Sequence, residues 1–159
     1  MIKKPDIPKG KIIGCVCKTK LTINPRTWIS WLLRKWEGVD YNHVYILHHD
    51  RAGRLWVYES DVPKGVSVVL WDNYKKKNQE YKFINYNFRV FTYDRMVRDL
   101  GKNYDILSIV RHFFNRNGWV KTKTEDHARY CSEYFAHSFG MKDYYKIGLK
   151  ELDKYVMKD

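Results

Sequence analysis

Cysteine is scarce in this 159-residue chain, with three residues at positions 15, 17 and 131. An odd count argues against a closed disulfide framework and suits a reducing compartment. Cys15 and Cys17 form a C-x-C pair, but no neighbouring Cys or His completes a zinc set, so both are read as core. No run of eighteen apolar residues occurs, and no membrane-spanning helix is expected. The start of the chain is charged, and its longest apolar run, Ile12 to Cys17, is too short for a signal-peptide core. A cytoplasmic location is expected, or else a secreted form already trimmed. Glycine-rich phosphate loops, dinucleotide fingerprints, zinc signatures, repeats and Pro/Gly/Ser linkers are missing as well. No cofactor or metal is therefore expected, and residues 1–159 are read as one domain with an extended arm over 1–10. Acidic residues are outnumbered, 18 against 30 basic, giving a net charge of +12. A surface of that sign favours an anionic partner, such as nucleic acid, acidic lipid or cell-wall polymer, though charge alone selects none of them.

What the chain does have is pattern. Lys11 to Lys18 reads as a strand with Cys15 and Cys17 on one face. Asn24-Pro25 reads as a helix start, followed by a stripe of Trp28, Trp31, Leu32 and Trp36 that ends near Gly38. A hairpin over 41–60 turns at Arg51 to Arg54, and Val66 to Leu70 adds another strand. The lysine run at 75–77 falls in a short polar helix or loop. Ile84, Tyr86, Phe88 and Val90 alternate with polar residues as a half-buried strand. Helices follow over Asp94 to Leu100, Ile106 to Phe113 and Gly148 to Val156, with a polar approach over 119–129. This order describes an α+β architecture with helices packed on one side of an antiparallel sheet.

Two segments carry chemistry. From Cys131 the residues Tyr134, Phe135, Ser138 and Phe139 recur at the spacing of one buried helical face, which puts the thiol at a helix start. Unpaired backbone N–H groups and the positive end of the helix dipole favour a thiolate there. In a hairpin centred near Arg51, His43 and Glu59 are expected directly opposite each other, close enough for the carboxylate to hold the imidazole. A one-residue slip would send them to opposite faces. Cys131, His43 and Glu59 then supply a nucleophile, a base and a group that orients the base.

Asn42-His43-Val44, Tyr58-Glu59 with Gly65-Val66, Tyr104-Asp105 and Cys131-Ser132-Glu133 together resemble the circularly permuted, NlpC-type papain-like cysteine hydrolases. The YiiX/YaeF-like group is nearest and the lecithin:retinol acyltransferases are more distant. The resemblance runs from about Lys11 to Phe139 and rests on the order and combination of short motifs. It implies a permuted papain-like fold, with the His-bearing strands ahead of the Cys-bearing helix. It also implies Cys131 as nucleophile, His43 as base and Glu59 as third polar residue. The substrates it implies are cell-wall peptide-like amides or lipid-derived acyl groups. Relatives tend to carry a small residue two places after the His, where this chain has Tyr45. If Tyr45 points into the site, it narrows the pocket or its hydroxyl takes part in substrate binding.

The remaining candidates read as structural. His48 and His49 adjoin the turn and are expected to face solvent, while His112 lies mid-helix. His127 is a poorer base than a histidine on a rigid strand, and His137 falls off the thiol's side of its helix. Ser132 lacks a base, Glu133 supports the helix start, and Asp105 caps its own helix. The function expected is a thiol hydrolase or acyltransferase acting on an amide or ester. The alternative is a non-catalytic basic module that binds nucleic acid or another anionic polymer on the same scaffold.

Overall fold

Five strands form one antiparallel sheet: β1 (Ile12–Lys18), β2 (His43–His49), β3 (Leu55–Asp61), β4 (Gly65–Leu70) and β5 (Glu80–Ile84), in the order β4-β3-β2-β1-β5. The computed structural model describes residues 5–18, 31–32, 34–74, 80–84, 86, 92–105 and 129–157. Helices span Trp71–Tyr74, Thr92–Arg98, Cys131–Ser138 and Leu149–Leu152, and 3-10 turns span Tyr144–Lys146 and Asp153–Tyr155. The architecture is α+β, as expected. Among the described residues no helix is long and apolar enough to cross a membrane.

The central strands are rich in Val, Ile, Tyr and Cys, side chains that fit a pleated surface. Their alternation feeds two separate cores. Val16, Val44, Ile46, Tyr58 and Ile84 face the Cys131–Ser138 helix, whereas Cys15, Cys17, Tyr45, Leu47, Leu55 and Val57 meet Ile7, Trp71 and Tyr74 on the other side. Helices on one side only is thus a partial description, because the arm at Ile7 and the turn at Trp71–Tyr74 close the second face.

The Cys131–Ser138 helix has only eight residues, too few to be stable alone. Packing holds it. Tyr134, Phe135, Ala136 and Phe139 are fully buried, and each large apolar side chain so buried contributes about 2–3 kcal/mol. The helix comes close to the sheet at Gly14, where a Cβ would overlap the Phe135 ring. One buried face was expected, yet Ser132 and Glu133, which lie off that face, are buried too, because polar and charged groups cover the side away from the sheet.

Other expectations shift. The fifth strand covers Glu80–Ile84, ending where the expected strand begins; Asn85, Asn87, Phe88, Arg89 and Val90 lie outside the described residues. The helix expected from Asp94 starts at Thr92, and the terminal helix shortens to Leu149–Leu152 before Val156 bridges to Ile84. Trp31 and Leu32 are helical but exposed, so that part of the expected apolar stripe is not core. The lysine run, the helix expected over Ile106 to Phe113, the helix start at Asn24-Pro25, His112 and His127 lie outside the described residues.

Candidate active site

The β2–β3 hairpin positions two of the three groups. Asp50 and Arg54 bracket a loop of Arg51, Ala52 and Gly53, with Gly53 at φ +83°. Three-residue loops of this kind place glycine in the left-handed region. The Asp50 carboxylate braces the turn, accepting from the Arg54 backbone N–H at 2.8 Å and from Trp56 Nε1 at 2.9 Å. The hairpin therefore centres on Ala52 rather than near Arg51, and Tyr45, not His43, lies opposite Glu59. His43 and Glu59 are diagonal neighbours. The offset is two residues, which keeps both side chains on one face, and His43 Nε2 meets Glu59 Oε2 at 2.9 Å.

Cys131 comes from the opposite face. Its helix packs on β2 and β3 from the other side, but its first residue lies at the sheet end where β2 begins, beside His43. The thiol hydrogen-bonds the His43 side chain. With Nε2 engaged by Glu59, Nδ1 is the ring nitrogen left for the sulfur. Burial disfavours a charged ring here, but the bonds and charges of Cys131 and Glu59 outweigh it and raise His43 from its ordinary 6.5 to about 10. The imidazolium is thus the form that persists through neutral pH. Glu59 is in turn held by the Tyr74 hydroxyl, whose own ionisation burial suppresses.

The structure brings Cys131, His43 and Glu59 together, and Tyr45 stands beside them, with its ring centroid 6.3 Å from that of His43. Tyr45 is 1% exposed and sits in the second core, 5.1 Å from the Tyr74 ring with its hydroxyl on the Cys15 thiol. It stands directly opposite Glu59 across the ladder. Ser132 is buried and hydrogen-bonded to Tyr130. His137 pairs with Asp99 at 2.7 Å, well away from the thiol's role. Of the turn histidines, His49 bonds the Ile7 carbonyl and His48 packs against Tyr93, so neither is simply solvent-facing.

One group escaped the sequence reading. The Tyr104 hydroxyl hydrogen-bonds Cys131, and burial with the nearby thiol and Asp61 raises its pKa, so it stays protonated and able to donate. Tyr104 reaches the site because residues 101–103 lie against β4. Gly101 N–H donates to Val66 O at 2.9 Å, and Val66 N–H donates to Lys102 O at 2.8 Å. Gly65, at φ +69°, permits that approach, since a Cβ there would overlap the Lys102 carbonyl. Tyr104-Asp105 stood out as a dipeptide, but nothing local indicated where its hydroxyl would go. Asp105 is buried, and its charge acts on Glu133.

Around the thiol the backbone is also polarised. Tyr130 is the N-cap residue and makes no side-chain cap bond. The N–H groups of a first helical turn are donors without an intrahelical acceptor. Among the described residues no cluster of three or more His, Cys, Asp or Glu is arranged to hold a metal ion. No family model matches this chain, and no curated protein matches it in sequence.

Proposed function

We propose that the protein is a cysteine hydrolase or acyltransferase of circularly permuted papain-like type, acting on an amide or ester. One observation carries this reading: the half-buried His43 ring is hydrogen-bonded to Glu59 on one side and to Cys131 on the other. An imidazolium donating to a sulfur favours the thiolate. Glu59 fixes the ring's tautomer and orientation and stabilises its charge. The strand order, with the His-bearing hairpin ahead of the Cys-bearing helix, supports the permuted topology.

The thiolate attacks the substrate carbonyl carbon, and the carbonyl oxygen takes up the negative charge. The Cys131 backbone N–H, at the helix start, and the Tyr104 hydroxyl are the two donors that would receive it. Collapse of the tetrahedral intermediate breaks the bond to the leaving amine or alcohol, and His43 gives that group its proton. A thioester remains on Cys131. Water, or an acceptor hydroxyl or amine, then attacks the thioester, losing its proton to His43 and restoring the free thiolate. Peptide-like amides and lipid-derived acyl esters both fit this chemistry.

The test is alkylation of each cysteine as a function of pH, read by peptide mass spectrometry. A free thiol has a pKa near ~8.5, so Cys131 is expected to react rapidly at pH 6 while Cys15 and Cys17 stay silent. His43→Ala is expected to abolish the fast reaction, and Cys131→Ala to abolish turnover of amide or ester substrates. A Cys131 that reacts no faster than a free thiol sinks the proposal.

A further inference from the structure

Two residues that immediately adjoin site groups converge on a single buried arginine. Arg129 stands two positions before Cys131 and is 1% exposed. Its backbone N–H donates to the carbonyl of Asn103, the residue before Tyr104, at 3.0 Å. Its own carbonyl accepts from the hydroxyl of Ser60, the residue after Glu59, at 2.5 Å. Its guanidinium lies between Asp99, at 3.7 Å, and Glu133, at 3.6 Å, with the Tyr144 ring 5.4 Å away.

We propose that Arg129 is a positioning residue, the node that sets Cys131 at its distance from His43 and Tyr104. The inference rests on the catalytic reading above. Ser60 is fully buried and faces the helix side of β3, opposite to Glu59, so its hydroxyl ties the strand that holds the imidazole's partner to the peptide that carries the thiol. The Asn103 bond ties in the segment that carries Tyr104. The ion pairs fix Arg129 against two elements. Asp99 follows the Thr92–Arg98 helix and is itself paired with Lys102 at 2.6 Å and His137 at 2.7 Å. Glu133 belongs to the first turn of the Cys131 helix. Buried ion pairs of this kind add little net stability, because desolvation offsets the attraction. What they supply is a fixed geometry, and the geometry here joins β3, the segment that carries Tyr104 and the Cys131 helix.

The test uses the full chain with two variants, Ser60→Ala and Arg129→Lys. Ser60→Ala removes one hydroxyl tie and leaves the ion pairs intact. Arg129→Lys keeps a charge but cannot bridge two carboxylates with one planar fork. The readouts are the His43 imidazole titration by NMR and the alkylation rate of Cys131 at pH 6. In each variant His43 is expected to titrate about one unit or more below the wild type, and Cys131 to react roughly tenfold more slowly, as the thiol moves off the ring. A role confined to stability would lower the melting temperature and move neither readout, and that result overturns the proposal. Should Arg129→Lys not fold, Ser60→Ala decides alone. A wild-type His43 that titrates near its ordinary value would instead bring down the catalytic reading, and the positioning role with it.

Discussion

The least conventional residue near the thiol is Glu133. A carboxylate in the first turn of a helix is ordinarily a solvated, stabilising charge. Here burial raises its pKa to about 7; Arg129 opposes the rise, and Asp105 and Asp99 add to it. The folded state therefore holds this proton more tightly than the unfolded chain, whose carboxyl titrates near 4.5. The stability tied to the protonated form is fully present below about pH 4.5 and is lost as pH rises through about 7. Glu133→Gln removes that dependence. Measured by urea unfolding, the stability of the variant relative to wild type is expected to rise between pH 4.5 and pH 8 by on the order of 2–3 kcal/mol. A difference that stays flat with pH would mean that Glu133 ionises in the fold as it does in the open chain.

Among the elements, the segment at 101–104 depends most visibly on a single position in another strand. Gly65 combines a positive φ with contact against the Lys102 carbonyl. Gly65→Ala meets both penalties, so a loss of at least about 2 kcal/mol is expected in urea unfolding. Cys131 alkylation is expected to change with it, because the displaced segment leads into Tyr104. The hairpin was largely legible in the sequence, since alternation and a Gly-containing turn are local signals. Its register was displaced because Arg51 to Gly53 form a three-residue loop centred on Ala52. The His43–Glu59 pair survived that displacement because an offset of two preserves the face. Cys131 was legible as a helix start from spacing alone. Tyr104, Arg129 and Ser60 were not, because their roles come from contacts between residues far apart in the chain, which no local period encodes. Tyr45 is a related case: its parity with His43 was readable, but the second core that encloses it was not.

At the scale of the whole molecule, the net charge of +12 acts independently of the site. If the basic surface engages polyanions through phosphate contacts, binding of single-stranded DNA, used as a generic polyanion, is expected to weaken steeply between about 50 and 200 mM salt. Alkylation of Cys131 by neutral iodoacetamide is expected to stay level across the same range, since its partners act at hydrogen-bonding range, far inside a screening length. Absence of DNA binding at the lowest salt would end the anionic-polymer reading. The order of the groups along the chain has a further consequence. His43 and Glu59 are 16 residues apart on one hairpin, a contact with a short loop to close. Cys131 follows only after both helical and strand segments have been made, and it docks through long-range packing, which forms slowly. A chain still emerging from the ribosome is therefore expected to carry an imidazole–carboxylate pair with no nucleophile. On the catalytic reading, the site is incomplete until the Cys131–Ser138 helix packs on the sheet.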